Sequence, residues 1–213
     1  RLPPTSVHVC LPYKTQTEAV ELCLRSGKKI LCQPPVFDLH RLQKIAIERD
    51  CLLMLDFPRR FDRQFQRAKE YLTQLATDSG VTKSVLIEKI LPAPPSNVPA
   101  APFDVTEMLW NQCIHDIDLL SWLFEDVDCE MSVRSVTADA VARTITMVVP
   151  VWLRKFDSTI DVQLSFAAHG RALVDHVVIN DQSFGHDLRS NSSSSSTSSA
   201  AAKATATTTA RSE

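Results

Sequence analysis

The chain has 213 residues, 44% hydrophobic and 23% charged, with a formal net charge of -2, proportions that allow a buried core of ordinary globular type. That balance lacks the basic footprint needed to neutralise phosphates, which argues against a nucleic-acid partner. No stretch reaches the ~18 uninterrupted apolar residues of a membrane span and no secretory pattern opens the sequence, so a cytoplasmic protein without membrane contact is expected.

Residues 6–11 (SVHVCL) form a short run with β-branched residues, ended by Pro12, and read as a strand. Residues 17–26 then carry Ala19, Val20, Cys23 and Leu24 at helical spacing before Gly27, which closes the helix. A second strand over 29–32 stops at Pro34 and Pro35, and Asp38 is placed to cap a helix whose Leu39, Leu42, Ile45 and Ala46 share a face. Residues 51–57 make a third, almost wholly apolar strand before Pro58. Strands alternating with helices at this spacing imply a parallel sheet, so residues 1–58 read as the C-terminal part of a Rossmann-type α/β domain.

Beyond Pro58 the pattern changes. Residues 62–75 place Phe65, Ala68, Leu72 and Leu75 on one helical stripe, and residues 82–90 alternate like a half-buried strand. Residues 91–103 hold five prolines and read as a surface loop. Asp104 is placed to cap a helix running to about residue 124. Four β-rich runs between 129 and 179 follow one another without intervening helices, the pattern of an antiparallel meander. Residues 59–184 are therefore expected to form an α+β domain with a mostly antiparallel open sheet. The Ser, Ala and Thr-rich remainder, 185–213, is expected to be disordered; it contains the sequon Asn191-Ser192-Ser193.

Two features suggest an incomplete front end. The chain begins with Arg1, and its four glycines, Gly27, Gly80, Gly170 and Gly185, lie far apart. A GxGxxG turn needs closely spaced glycines to bring backbone amides to a diphosphate. The six cysteines form no CxxC pair and are expected to be reduced thiols. His169 and His176 lack spacing partners for a metal, so no metal site is expected. Trp110, Trp122 and Trp152 are expected to pack in the core or on the sheet.

Three stretches carry a resemblance. GKKILCQPPVFD (27–38), LDFPRRFDRQFQRAKEYL (55–72) and NQCIHDIDLLSWLF (111–124) are similar, in order and spacing, to the cofactor-side turn, domain junction and active-site helix of the Gfo/Idh/MocA oxidoreductases. The resemblance implies hydride transfer between NAD or NADP and a sugar or polyol, on a nucleotide-binding domain of which the glycine-loop half is missing here. It places Pro12, Gln33, Pro34 and Pro35 beside the cofactor, with Pro34 where the family carries a lysine. Asn111 and His115 fall where the family carries an aspartate and a histidine, four residues apart on one helical face. His115 can still act as acid or base, and Asp118 on the same face could orient it. Gln16 stands where the family often has a histidine. Arg59 and Arg60 would make inter-domain or ligand contacts, or simply open a solvated helix beside Asp62. The alternative is a non-catalytic member whose open sheet serves as a homo-oligomer or partner surface.

Overall fold

The computed structural model describes residues 5–78, 84–92, 104–170 and 173–187. The first unit runs β1 (Ser6–Val9), α1 (Tyr13–Arg25), β2 (Lys29–Cys32), α2 (Leu39–Glu48) and β3 (Leu53–Leu55). The three strands pair in parallel in the order β1-β2-β3, as the alternation requires. Val7, Ile30 and Leu53 stand in one register row and Val9, Cys32 and Leu55 in another. Both rows pack with Val20, Leu24, Leu42, Ile45 and Ala46 of the two helices. The intervening row, His8, Leu31 and Met54, lies outside that cluster.

Two local details depart from expectation. Helix α1 begins at Tyr13, four residues earlier than the apolar spacing suggested, because Pro12 ends the strand and its carbonyl accepts the Thr15 N–H at 3.0 Å. Asp38 does not cap α2 with its side chain. It adopts a left-handed conformation at φ 57°, and its carboxylate binds Arg41 Nε at 2.6 Å. Gly27 closes α1 as expected, at φ 71°.

The second unit begins with a single 3-10 turn, Pro58–Phe61, followed by α3 (Arg63–Asp78), β4 (Val85–Pro92) and α4 (Val105–Met108). A π-helical turn over Leu109–Cys113 leads into α5 (Ile114–Leu123). Then come β5 (Cys129–Met131), β6 (Ser135–Asp139), β7 (Thr144–Leu153), β8 (Ser158–Gly170), β9 (Val174–Ile179) and β10 (Gln182–Asp187). Asp104 caps α4 as expected, accepting the backbone N–H of Thr106 and Glu107.

The seven-stranded sheet has the order β10-β9-β4-β8-β7-β5, with β6 also on β7. It is mostly antiparallel but is not a meander. Strand β4 enters between β8 and β9, parallel to the first and antiparallel to the second. Alternation tells which face a strand buries, not which strands flank it. One face is covered by Phe65, Ala68 and Leu72 of α3 and Leu119, Leu120 and Leu123 of α5, packed on Val85, Ile87, Val151, Val162 and Val177.

Strand β4 includes Leu91 and Pro92, the first two residues of the expected loop, and β10 runs to Asp187, three residues into the expected tail. Residues 93–103, the sequon and the His169 side chain lie outside the described residues. All six cysteines are free thiols, with Cys32 and Cys113 buried. Trp122 packs against the core of the second unit and Trp152 lies, partly exposed, on β7 of the sheet, whereas Trp110 is exposed on the π turn. No described helix is long and apolar enough to cross a membrane.

Candidate active site

Two turns at the carboxyl ends of the parallel strands face the π turn and α5 of the second unit. Gln16 holds the two turns together. It is almost wholly buried; its Oε1 accepts the Leu11 N–H at 3.2 Å, and its Nε2 donates to the carbonyls of Gln33 and Pro35. An unpaired buried amide would be costly, so this threefold use explains why a polar side chain is retained there. Gln16 is thus committed to the backbone. Pro12 and the Gln33 side chain are exposed, whereas Pro34 and Pro35 are buried.

Pro34 and Pro35 line a cleft of about 320 Å³ together with Phe37, Leu55, Phe57, Trp110 and Ile114. Phe37 meets Trp110 edge to face, ring centres 5.0 Å apart. A larger hollow, about 610 Å³, lies along α3 and α5 and includes Gln66, Lys69 and Trp122, but Lys69 already covers the Trp122 ring. The smaller cleft is the better candidate because open α/β sheets bind ligands outside the carboxyl ends of their strands.

His115 projects from α5 beside this cleft, its ring edge to face with Phe57 at 5.8 Å. Burial, with the nearby positive charges of Lys89 and Arg59, pushes its imidazole down to about 4; Asp118 and Asp56 oppose this. The ring is therefore neutral at physiological pH, with one nitrogen open to accept a proton. Asp118 does not orient it through a hydrogen bond: both carboxylate oxygens bind Arg60, at 2.9 Å from Nε and more closely from Nη2. Arg60 in turn lies over the Phe57 ring at 5.5 Å. Asn111 sits half-buried inside the π turn, where the step per residue is not that of an α-helix. Four-residue spacing therefore does not by itself align it with His115.

Arg59 does not open a solvated helix: its side chain is largely buried. Its guanidinium joins Asp116 of α5 to Asp175 of β9, with Nε 3.1 Å from Asp175 Oδ2 and Nη2 2.7 Å from Oδ1. The 2.7 Å pair is not aligned as a hydrogen bond, so the attraction there is chiefly one of charge. Asp116 is fully buried; burial pushes its carboxyl up, while Arg59 and Lys89 pull it down. Lys89, across the ladder from Asp175, sends its Nζ to Gln112 Oε1 of the π turn at 3.1 Å. Burial, then the Arg59 charge, holds its ammonium below the ordinary lysine range. Elsewhere, His176 pairs with Glu88 at 3.1 Å.

Lys89, Gln112, Asp116 and Asp175 are absent from the sequence-derived list, although a signal existed for three of them. Lys89 follows Val85 and Ile87 on the buried phase of β4, Asp175 precedes Val177 and Ile179 on that of β9, and Asp116 precedes Leu119, Leu120 and Leu123 on α5. A charge on an apolar phase must find a partner.

Comparison with known proteins agrees with this architecture. No family model matches the sequence. Over 140 residues the chain is 27% identical to the myo-inositol 2-dehydrogenase of Thermotoga maritima, an alignment covering 63% of this chain and 40% of that enzyme. Over 126 residues it is 23% identical to the inositol 2-dehydrogenase of Rhodococcus jostii, covering 57% and 32%. The myo-inositol dehydrogenase of Lactobacillus casei, solved with NAD(H) and myo-inositol, superposes with a TM-score of 0.61 at 18% identity, covering 90% of this chain and 59% of that one. The chain is similar in sequence and fold to dehydrogenases of the Gfo/Idh/MocA type. It spans less than half the length of the two sequence relatives.

Proposed function

We propose that this cleft serves an NAD(P)-dependent oxidoreductase acting on a sugar or polyol. The observation that carries the reading is the His115 ring packed on Phe57, a wall residue of the apolar cleft at the strand ends. Its support from outside the chain is that two relatives are inositol 2-dehydrogenases and a structural neighbour was solved with NAD(H) and myo-inositol.

The residues present fit the cofactor in part. The apolar walls at Pro34, Pro35, Phe57, Trp110 and Ile114 suit a flat ring, whereas the described glycines supply no diphosphate-binding turn. When bound, the nicotinamide would supply the hydride acceptor or donor. The chain's own part is proton handling and exclusion of water. A hydroxyl being oxidised must lose its proton, and the unprotonated nitrogen of His115 is the acceptor that the cleft offers; in reduction the imidazolium returns it. Asn111 can hydrogen-bond a substrate hydroxyl but cannot take its proton. Pro34 offers no side-chain donor, so charge stabilisation must come from another residue.

Titration of the purified chain with NADH and NADPH, followed by fluorescence, tests the reading. Saturable binding below millimolar cofactor, with turnover of a polyol such as myo-inositol, is the expected result. His115→Ala should lower turnover about 10²-fold or more while leaving cofactor binding unchanged. No saturable change at millimolar cofactor, or full turnover in the variant, would overturn it.

A further inference from the structure

Lys89 differs in its pairing from Arg59, Arg60 and Lys69. Arg60 is bound to Asp118, and Lys69 to Glu125 and Asp126. Arg59 engages both carboxylates of the buried cluster, Asp116 and Asp175. The hydrogen bond of the Lys89 ammonium, among the described residues, goes to a neutral amide, Gln112 Oε1. A mostly buried ammonium with no carboxylate of its own is expensive to keep. A cation retained in that setting is a candidate for chemical work.

Its position gives the work a direction. Lys89 lies on the helix-facing side of β4, and Gln112 belongs to the π turn that carries Asn111 and runs directly into His115. The charged groups acting on His115 are Lys89 from β4, Arg59 from the 3-10 turn, Asp118 from α5 and Asp56 after β3. Those acting on Lys89 are Arg59, Asp116 and Asp175, with the neutral thiol of Cys113 nearby. With Arg59 bracketed by two carboxylates, Lys89 is the less compensated of the two cations facing the imidazole.

We infer that Lys89 is a positioning residue for His115: anchored on Gln112, it holds in place the π turn that leads into α5, and its charge acts on the His115 imidazole. This rests on the hydride-transfer reading, but it makes a claim that can be checked without turnover. In the oxidation direction His115 would take the substrate hydroxyl proton as the alcohol becomes a carbonyl, and a bound nicotinamide would supply the acceptor for the hydride. Lys89 gains and loses nothing in that step.

The test compares wild type, Lys89→Met and Lys89→Arg by NMR titration of the His115 ring protons and, separately, by the pH profile of turnover. Lys89→Met should raise the His115 midpoint by about one unit, a tenfold gain in proton affinity, and lower kcat about tenfold or more with little change in KM. Lys89→Arg should keep the midpoint within a few tenths of wild type and restore most of the rate. An unmoved His115 midpoint in Lys89→Met overturns the inference. If that variant fails to fold, the wild-type Lys89 side chain decides by its own titration: a midpoint below the ordinary lysine range supports the inference, and an ordinary one overturns it. A shifted His115 in Lys89→Met with no cofactor binding in wild type would sink the hydride-transfer reading and leave the electrostatic coupling standing.

Discussion

The two units solve the problem of a buried polar side chain in different ways. In the first, Gln16 is neutral and spends its amide on three backbone groups within 20 residues of itself. In the second, Arg59, Lys89, Asp116 and Asp175 come from four segments spread over more than a hundred residues and meet as charges. A neutral amide fixed to main chain gives a stiff wall and no chemistry. Paired charges in a dry layer cost more to assemble, yet they set the proton affinity of whatever lies beside them. On the hydride-transfer proposal, the contrast puts the proton-handling side of the cleft on α5, with His115, opposite the proline turn.

The contrast can be broken most sharply at Arg59. Replacing it by Met strands two carboxylates in a low-dielectric layer, and urea unfolding should show a loss of about 3–5 kcal/mol. Gln16→Leu removes a neutral amide and leaves the Leu11 N–H and two carbonyls without their partner, so a smaller loss of about 2–3 kcal/mol is expected. Equal effects would erase the distinction between the two units.

A pH series sharpens it further. Folded His115 takes its proton only near pH 4, whereas the unfolded chain takes it near ~6.5. Between those values the unfolded state binds more protons, so stability falls as pH drops from about 6.5 towards 4, by roughly 1–2 kcal/mol once partial exposure is allowed for. His115→Gln should flatten that part of the profile. At the surface, Arg134→Ala removes a pair with Asp161 in which both side chains are about half exposed, and a change of at most about 0.5 kcal/mol is expected.

Much of the fold was legible because its signals are local. Val7 to Val9, Ile30 to Cys32 and Leu53 to Leu55 are apolar runs separated by helical spacing, and that is enough to imply a parallel sheet. The place of β4 between β8 and β9 was not legible, since neighbour choice depends on how α3 returns the chain to the sheet. The π turn at Leu109–Cys113 left no mark in the apolar spacing. At the site, His115 and the proline turn were found through motif resemblance, but partners were assigned by nearness in sequence. Asp118 was given to His115 because it lies three residues away, whereas Arg60, 58 residues distant, holds it. Lys89, Asp116 and Asp175 were readable as charges on buried phases of β4, α5 and β9, and only the folded chain shows that they converge.

The most direct measurement is the ring-proton titration of His115 in the wild-type chain, with His115→Gln used to assign the signal. Convergence of burial, Lys89 and Arg59 on the imidazole requires a midpoint close to 4. A midpoint at the ordinary histidine value of about 6.5 would mean that the ring is solvated and uncoupled from those cations, and the coupling of Lys89 to His115 would fall.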